Sequence, residues 1–390
     1  MSIEKCEPRE VGFDPQRLRR LSEVIQRDID AERFDGCGLV VGRHGRIAYQ
    51  EHFGFAERSS GRRVEQDQVF MTMSVGKQFT VAAVLNRIER GDFALTTRVA
   101  DVIPEFGCRG KETVMVWHLL THTGGVPALL PPMPPDLVGN LEAVVAATCA
   151  SLLESEPGVR VTYSVLVGHA VLAEMVRRVD GGTRPFRQIL AEDLFGPLGM
   201  NNTSLGVRAD LKARVAPVAV RDRRPGMLDA DLLEMMGAML GEETEIPAGG
   251  FVSTASDVHR FAEMLRRGGE LNGVRILSPA MLEAVQVVRT GDQPNRYLFD
   301  YTRAARGWTP FPANLGLGFF VRGCGIHPMP FGTLASARTF GGLGAGSTSF
   351  WIDPVRDVTY AFMSTGLLEE SYSCERHQRL SDIVHSAIVA

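Results

Sequence analysis

The amino-acid sequence predicts an α+β protein in which an antiparallel sheet, built from both ends of the chain, is covered by a helix from each terminus, with an all-helical region inserted beside it. Three observations predict this. Runs with strand character fall near residues 37–57 and again after residue 245, whereas the stretch between 91 and 244 carries helix signals and no convincing strand. A helical pattern precedes the first strand run and another follows the last. The 390 residues are 44% hydrophobic and 23% charged, a balance that supplies a packed core and argues against disorder. The division that follows is a discontinuous sheet domain at 1–90 and 245–390 with a helical subdomain at 91–244.

Taken in order, QRLRRLSEVIQRDIDAER (16–33) places Leu18, Leu21, Ile25 and Ile29 at helical spacing. CGLVVGRHGRIAYQEHFGFAE (37–57) reads as a hairpin, two β-rich runs joined at Arg43-His44-Gly45. From about Val75 to Arg90, the residues Val75, Phe79, Ala82, Ala83, Leu85 and Ile88 fit a helix stopped by Gly91. Further helices are expected at 97–103, 115–121, 141–153, 164–179 and 185–195. VPALLPPMPPDLVGN (126–140) is too short for a linker and reads as an ordered, apolar surface loop. The Met-rich MLDADLLEMMGAML (227–240) reads as core more readily than as the wall of an apolar pocket. Past residue 245, helices at 255–268 and 278–288 give way to strand-like LGLGFFVRG, RTFGGLGAGSTSFWIDP and VTYAFMSTG, and a last helix spans about 375–388.

Composition excludes several classes of function. A net charge of −4 argues against a nucleic-acid binder, which would carry a strongly basic domain or stripe. No apolar run approaches the ~18 residues of a membrane helix. The N-terminus is charged, without the apolar centre of an export signal, so the cytoplasm is the expected compartment. The six cysteines show neither a C-x-x-C pair nor regular spacing and read as reduced thiols. His118 and His122 stand four apart, but no third ligand is near in sequence; they read as structural, and no metal is implied.

Three constellations could carry chemistry. Ser74-Val75-Gly76-Lys77 is an S-x-x-K at the start of the predicted helix, straight after the β-like QVFMTM. Three apart on a helix, the two side chains share a face, and an oxyanion developing at Ser74 lies at the positive end of the helix dipole. A desolvated amine there loses its charge and serves as a base. The chain contains four lysines (Lys5, Lys77, Lys111 and Lys212) against 38 arginines. A position that kept Lys is a candidate for a group that must give up its proton; Lys5, Lys111 and Lys212 are expected at the surface. Tyr163 precedes a predicted helix, where an aromatic residue could equally be packing. FGGLGAGSTSFWIDP (340–354) has the rhythm of a phosphate loop in Gly341-x4-Gly346-Ser347-Thr348. It lacks the lysine, however, and leads into a strand, so its glycines read as sites of close approach by a ligand.

Together these pieces resemble the serine β-lactamase and penicillin-binding-protein superfamily, and within it the class C β-lactamase-like esterases (family VIII carboxylesterases) and related acyltransferases. The resemblance rests on FMTMSVGKQFT (70–80), RGDFALTTRVADVIPEF (90–106), WHLLTHTGGVP (117–127), VTYSVLVGHAVLAE (161–174), AGGFVSTASDVHRFAEML (248–265) and FGGLGAGSTSFWIDP, in family order over nearly the whole chain. It implies a β-lactamase/transpeptidase-like fold with the active site between sheet and helical subdomain. It also implies Ser74 as nucleophile, Lys77 as its base and Tyr163 as proton shuttle. The third motif falls on Gly342-Leu343-Gly344, and the oxyanion hole on the backbone N–H groups of Ser74 and Ala345.

Two departures bear on substrate. The second motif has Val165 where lactamases have Asn, and Gly342 stands where Lys or His would be. Both losses, with the missing export signal, argue against β-lactams and cell-wall peptides. The expectation is a serine carboxylesterase for small or medium acyl groups, without metal or cofactor, its partner a small-molecule ester or acyl donor. The alternative is an acyltransferase of the lovastatin-side-chain-transferase type, and a dead binding protein is a third reading. The resemblance also puts Val126, Ala128, Leu129 and Leu130 near the cleft as an apolar wall. Were the protein a lactamase after all, Arg303 or Arg338 would be sought as the carboxylate anchor.

Overall fold

The computed structural model describes residues 3–296, 300 and 306–390, and it has the α+β class. A seven-stranded antiparallel sheet runs in the spatial order 62–63, 46–57, 36–43, 358–365, 348–353, 340–344, 320–321. The N-terminal hairpin turns at His44 and Gly45, with φ of 53° and 79°, the left-handed pair that a two-residue hairpin turn requires. Its first strand pairs with the last strand of the sheet, Gly36 opposite Thr365 and Arg43 opposite Val358, so the two ends of the chain meet at the sheet's centre.

Both faces of the central strands are buried. Val40, Phe350, Ile352, Ala361 and Met363 enter the core shared with the helices Gly76–Glu89 and Ala255–Arg266. Leu39, Val41, Trp351, Tyr360 and Phe362 enter a second core beneath the helices Arg20–Asp30 and Glu370–Ser386. Two-sided burial is why VTYAFMST, with all eight residues buried, lacks an alternation of apolar and charged residues. Trp351 stacks on its cross-strand partner Tyr360, ring centres 5.1 Å apart and planes within 6°.

Several elements differ from expectation. FGGLGAGSTSFWIDP is two strands, Phe340–Gly344 and Thr348–Asp353, folded back at Ala345–Ser347. Its glycines admit the protein's own chain. A Cβ at Gly341 would overlap the Phe350 carbonyl oxygen, one at Gly342 the Gln78 amide, and one at Gly344 the Thr348 hydroxyl. The helix expected at 97–103 is one turn, Val99–Val102, and the last helix starts at Glu370. LGLGFFVRG contributes only Phe320–Val321 to the sheet. The middle region does hold a strand, Ser204–Leu205, which joins Phe70–Met71 in a small sheet through Phe251–Ser253. No helix among the described residues is long and apolar enough to cross a membrane.

Two burial expectations are overturned. Lys111 is fully buried, not superficial: its amine donates to the Ser151 carbonyl at 2.5 Å and lies 5.7 Å from the Phe106 ring centre, contacts that replace water. Lys5 and Lys212 are exposed. In the Met-rich stretch only Met227 and Leu233 are buried, while Leu232, Met235 and Met239 are exposed. The helix Ala230–Ala238 lies outside the core and packs one edge, at Leu233, with Met71, Met73 and Leu367.

Because the obstacle at Gly341 is backbone, Gly341→Ala must displace the neighbouring strand. A loss of about 1–3 kcal/mol, as for other overpacked sites, is expected. Urea unfolding monitored by circular dichroism checks it: the midpoint falls while the slope is unchanged.

Candidate active site

Ser74 sits in a single 3₁₀ turn, Met73–Val75, between the strand Phe70–Met71 and the helix Gly76–Glu89. The preceding residue, Met73, has φ of 51°, a strained value for a side chain of this kind. The turn brings the serine out half-exposed at the head of an otherwise buried helix. That helix is held from three sides, with Phe79 making edge-to-face contacts with Phe195, Phe251 and Phe261 at 5.4, 5.5 and 4.9 Å.

One turn on, Lys77 is 2% exposed. Its amine is 3.1 Å from Ser74 Oγ and donates to the carbonyls of Val165 at 2.8 Å and Ala248 at 3.2 Å. No carboxylate among the described residues pairs with it. Burial alone pushes its pKa from the ordinary 10.5 down to about 7.

Tyr163 closes the group. Its hydroxyl hydrogen-bonds with Ser74, and burial pushes its pKa up to about 12, so it stays protonated at neutral pH. The Lys77 amine lies 5.0 Å from its ring centre. The tyrosine is set by its backbone surroundings: Tyr163 N–H donates to the Arg296 carbonyl at 3.1 Å, Ser164 N–H to His122 Nδ1 at 3.0 Å, and Val165 N–H to the Ala128 carbonyl at 2.8 Å. The His122 ring stacks beneath Tyr163, centres 4.6 Å apart. Burial, with Lys77 close by, pushes the pKa of His122 down to about 3 and that of His169 well below the ordinary range, so both are neutral. The described residues hold no cluster of the His, Cys, Asp and Glu side chains that bind metals.

Ser74 and Tyr163 open on a small, narrow cavity. Met227, Phe320 and Leu343 give it apolar walls, Gly344, Ala345 and Gly346 line it from the hairpin turn, and Glu370 and Ser373 close it. Gly342 and Val165 stand behind the cavity: Gly342 packs on Gln78, and Val165 contributes its carbonyl to Lys77. The apolar wall expected from the Pro-rich loop is not there. Val126 points into the main core, Leu129 is 48% exposed, and the loop reaches the site only through the Ala128 carbonyl. Arg338 is exposed and donates to Gln286, and Arg303 lies outside the described residues.

A β-lactamase family model matches residues 21–384. The chain belongs to the β-lactamase family. It is 26% identical over 362 residues to the esterase/β-lactamase LipL of Mycobacterium tuberculosis, covering 86% of this chain and 78% of that protein. Its fold matches a penicillin-binding-protein homologue from Caulobacter crescentus with TM-score 0.80 at 23% identity, over 96% and 99% of the two chains. It also matches a family VIII carboxylesterase with TM-score 0.78 at 20% identity, over 96% and 98%.

Packing accounts for the glycine at position 342. Gln78, one residue beyond Lys77, fills the space a side chain at 342 would need, and its amide donates to the Gly318 carbonyl at 3.0 Å. The structure brings Ser74, Tyr163, Leu343, Gly344 and Ala345, all singled out from sequence, to one cavity with Lys77 beside it, and Met227 lines it, the pocket-wall role that the sequence reading ranked second for its stretch. Gln78, Phe320, Glu370 and Ser373 were not singled out, because none falls in a local motif of its own.

The buried amine has a thermodynamic consequence. The folded-state pKa of Lys77 is depressed below its unfolded value, so the unfolded state binds more protons between about pH 7 and 10.5. Stability contributed at this position is therefore low below pH 7 and rises with pH by roughly 1 kcal/mol per unit across that window. Lys77→Met, which removes the buried charge, is expected to be more stable than the wild type at pH 6, with the gap closing toward pH 9. Urea titrations of both proteins at the two pH values measure it.

Proposed function

We propose that the protein is a serine carboxylesterase that forms an acyl-enzyme on Ser74 from esters of small or medium acyl groups. The observation that carries the reading is the Lys77 amine, desolvated to a pKa of about 7 and 3.1 Å from Ser74 Oγ. In that reading, neutral Lys77 takes the Ser74 proton as Oγ attacks the ester carbonyl. Tyr163, protonated and hydrogen-bonded at Ser74, delivers a proton to the departing alcohol and is replenished from Lys77. The oxyanion is met by the backbone N–H groups of Ser74, at the helix head, and of Ala345. Water then enters by the same route and releases the acid. The similarity to an esterase/β-lactamase and to the fold of a family VIII carboxylesterase supports this reading. An alcohol or amine in place of water would make the same acyl-enzyme an acyltransferase, and partitioning of the acyl group between water and added alcohols distinguishes them.

The roles of the first two residues are tested together on a p-nitrophenyl ester. Ser74→Ala is expected to abolish turnover while remaining folded. Lys77→Arg keeps the charge but cannot release its proton near neutrality, so a loss of at least ~10²-fold is expected. In the wild type, kcat/KM rises as pH climbs through about 7, where Lys77 becomes the free amine, and Lys77→Arg loses that limb. Near-normal activity in the arginine variant would reduce Lys77 to an electrostatic role.

Substrate class is tested on one preparation with two substrates. The walls formed by Met227, Phe320 and Leu343 favour acyl chains without a negative charge, whose methylenes gain about 0.8 kcal/mol per buried CH₂. No cation at position 342 or amide at 165 is available for a β-lactam's carboxylate and amide. p-Nitrophenyl butyrate is therefore expected to show a kcat/KM well above that of nitrocefin. Nitrocefin turned over as fast as the ester would replace the esterase reading by a lactamase.

A further inference from the structure

Apart from Ser74 and Tyr163, the Ser74 cavity is apolar over most of its wall and polar at the first turn of the helix Glu370–Ser386. Glu370 and Ser373 stand there three residues apart, on one face of the helix, and both line the cavity. The Ser373 hydroxyl is buried, 1% exposed, and has no hydrogen-bond partner among the described residues. The Glu370 carboxyl is buried as well, 5% exposed. Its Oε2 accepts the Met227 N–H at 3.1 Å, and Gly226 leaves room for that oxygen where a Cβ would overlap it. No Lys, Arg or His among the described residues forms an ion pair with Glu370.

The charged groups around this turn serve its neighbour instead. Glu369 accepts the Ser371 N–H at 3.0 Å and lies in the field of Arg224 and Arg306, which are themselves paired with Asp222 and Glu375. Burial, and then the charge of the adjacent Glu369 and a side-chain hydrogen bond with it, hold the Glu370 carboxyl up to about 7. The proposed ester chemistry uses neither Glu370 nor Ser373. Among the described residues Glu370 is thus a buried carboxyl without a cation, beside a buried hydroxyl without a partner, and the pair has room for a further donor.

We propose that Glu370 and Ser373 form a polar subsite of the Ser74 cavity that receives a hydrogen-bond-donating group of the substrate, an ammonium above all, so that amino-bearing acyl donors are favoured over plain aliphatic ones. An ammonium offers three donors, enough for the carboxylate and the hydroxyl together, and its charge strengthens the bond to Glu370. A carboxylate on the substrate would meet like charge there. The inference rests on the esterase reading for its kinetic form, but the subsite binds independently of turnover.

The test compares β-alanine p-nitrophenyl ester with p-nitrophenyl propionate, which share a three-carbon acyl chain and differ by the amino group. The readout is the ratio of their kcat/KM values at pH 7.5 in the wild type, Glu370→Gln, Glu370→Asp and Ser373→Ala. The wild type is expected to favour the amino ester, and Glu370→Gln to lower the ratio by at least about tenfold, the scale of one charge-assisted hydrogen bond. Ser373→Ala lowers it less, and Glu370→Asp retains part of it. A wild-type ratio at or below one, or a ratio that survives in Glu370→Gln and Ser373→Ala, overturns the subsite while leaving the esterase intact. If no ester is hydrolysed, the esterase reading fails, and calorimetric titration with β-alaninamide and propionamide decides the subsite alone. Tighter binding of the amine that Glu370→Gln or Ser373→Ala abolishes supports it, and equal affinities overturn it. Should Glu370→Gln fail to fold, as judged by its thermal midpoint, Ser373→Ala and Glu370→Asp carry both arms.

Discussion

Among the described residues nothing anionic faces the Lys77 amine, and the rest of the site is arranged around that fact. A buried ammonium without a carboxylate is costly. Here the nitrogen's partners are the carbonyls of Val165 and Ala248, the Ser74 hydroxyl and the face of Tyr163. These groups come from three separate stretches of chain. Each must be held in place: residue 165 by the Ala128 carbonyl, residue 164 by a neutral His122, and residue 248 by the run into the strand Phe251–Ser253. A carboxylate at any of these places would restore the amine's charge. The helix Gly76–Glu89 is accordingly enclosed on nearly all sides, and its apolar residues do not confine themselves to one stripe.

The turn opposite Ser74 has a support of the same kind. Arg376, 3% exposed, lies over the rings of Phe34 and Phe362 and donates to the carbonyls of Gly346 at 3.2 Å and Ser347 at 3.1 Å. A cation on the C-terminal helix thus fixes the hairpin turn that carries Ala345. That helix also presents Glu370 and Ser373 to the cavity, so the element that covers the sheet forms one wall of the site. The sheet's central pairing of first and last strands aligns the two. Packing and chemistry are therefore joined along one helix, and truncating it would expose the outer core and dismantle the cavity together.

The sequence made the α+β layout and the Ser74, Lys77 and Tyr163 group legible because each leaves a local mark: alternation between strand and helix signals, an i, i+3 pair, a rare lysine. Two-sided burial erased the alternation within VTYAFMST but left its β-rich composition, so the strand remained visible. What escaped was set by partners distant in sequence. The glycines at 341, 342 and 344 signal close approach, yet only the fold shows that the intruders are Phe350, Gln78 and Thr348. Lys111 looks like any superficial lysine until the Ser151 carbonyl and Phe106 ring are seen around it. The apolar wall was assigned to the Pro-rich loop, the nearest apolar segment in the chain. It is built instead from Met227, Phe320 and Leu343, which sequence separation hides.

That burial alone lowers the Lys77 pKa also bears on which substrates the proposed mechanism tolerates. A lysine or protonated histidine at position 342 would add a positive charge to the surroundings of Lys77 and help hold the amine neutral. Gly342, pressed on Gln78, removes that contribution and leaves the base dependent on a dry environment. A substrate then acts on the base as well as on the serine. An acyl chain that fills the cavity keeps water out and preserves the free amine. An anionic substrate brought close to Ser74 would stabilise the ammonium and withdraw the base at the moment of attack. A cationic substituent would act in the opposite sense, provided that a carboxyl such as Glu370 takes up its charge at the far wall. In the proposed mechanism a preference against anions would follow from the tuning of Lys77, independently of any contact the substrate makes at positions 342 and 165.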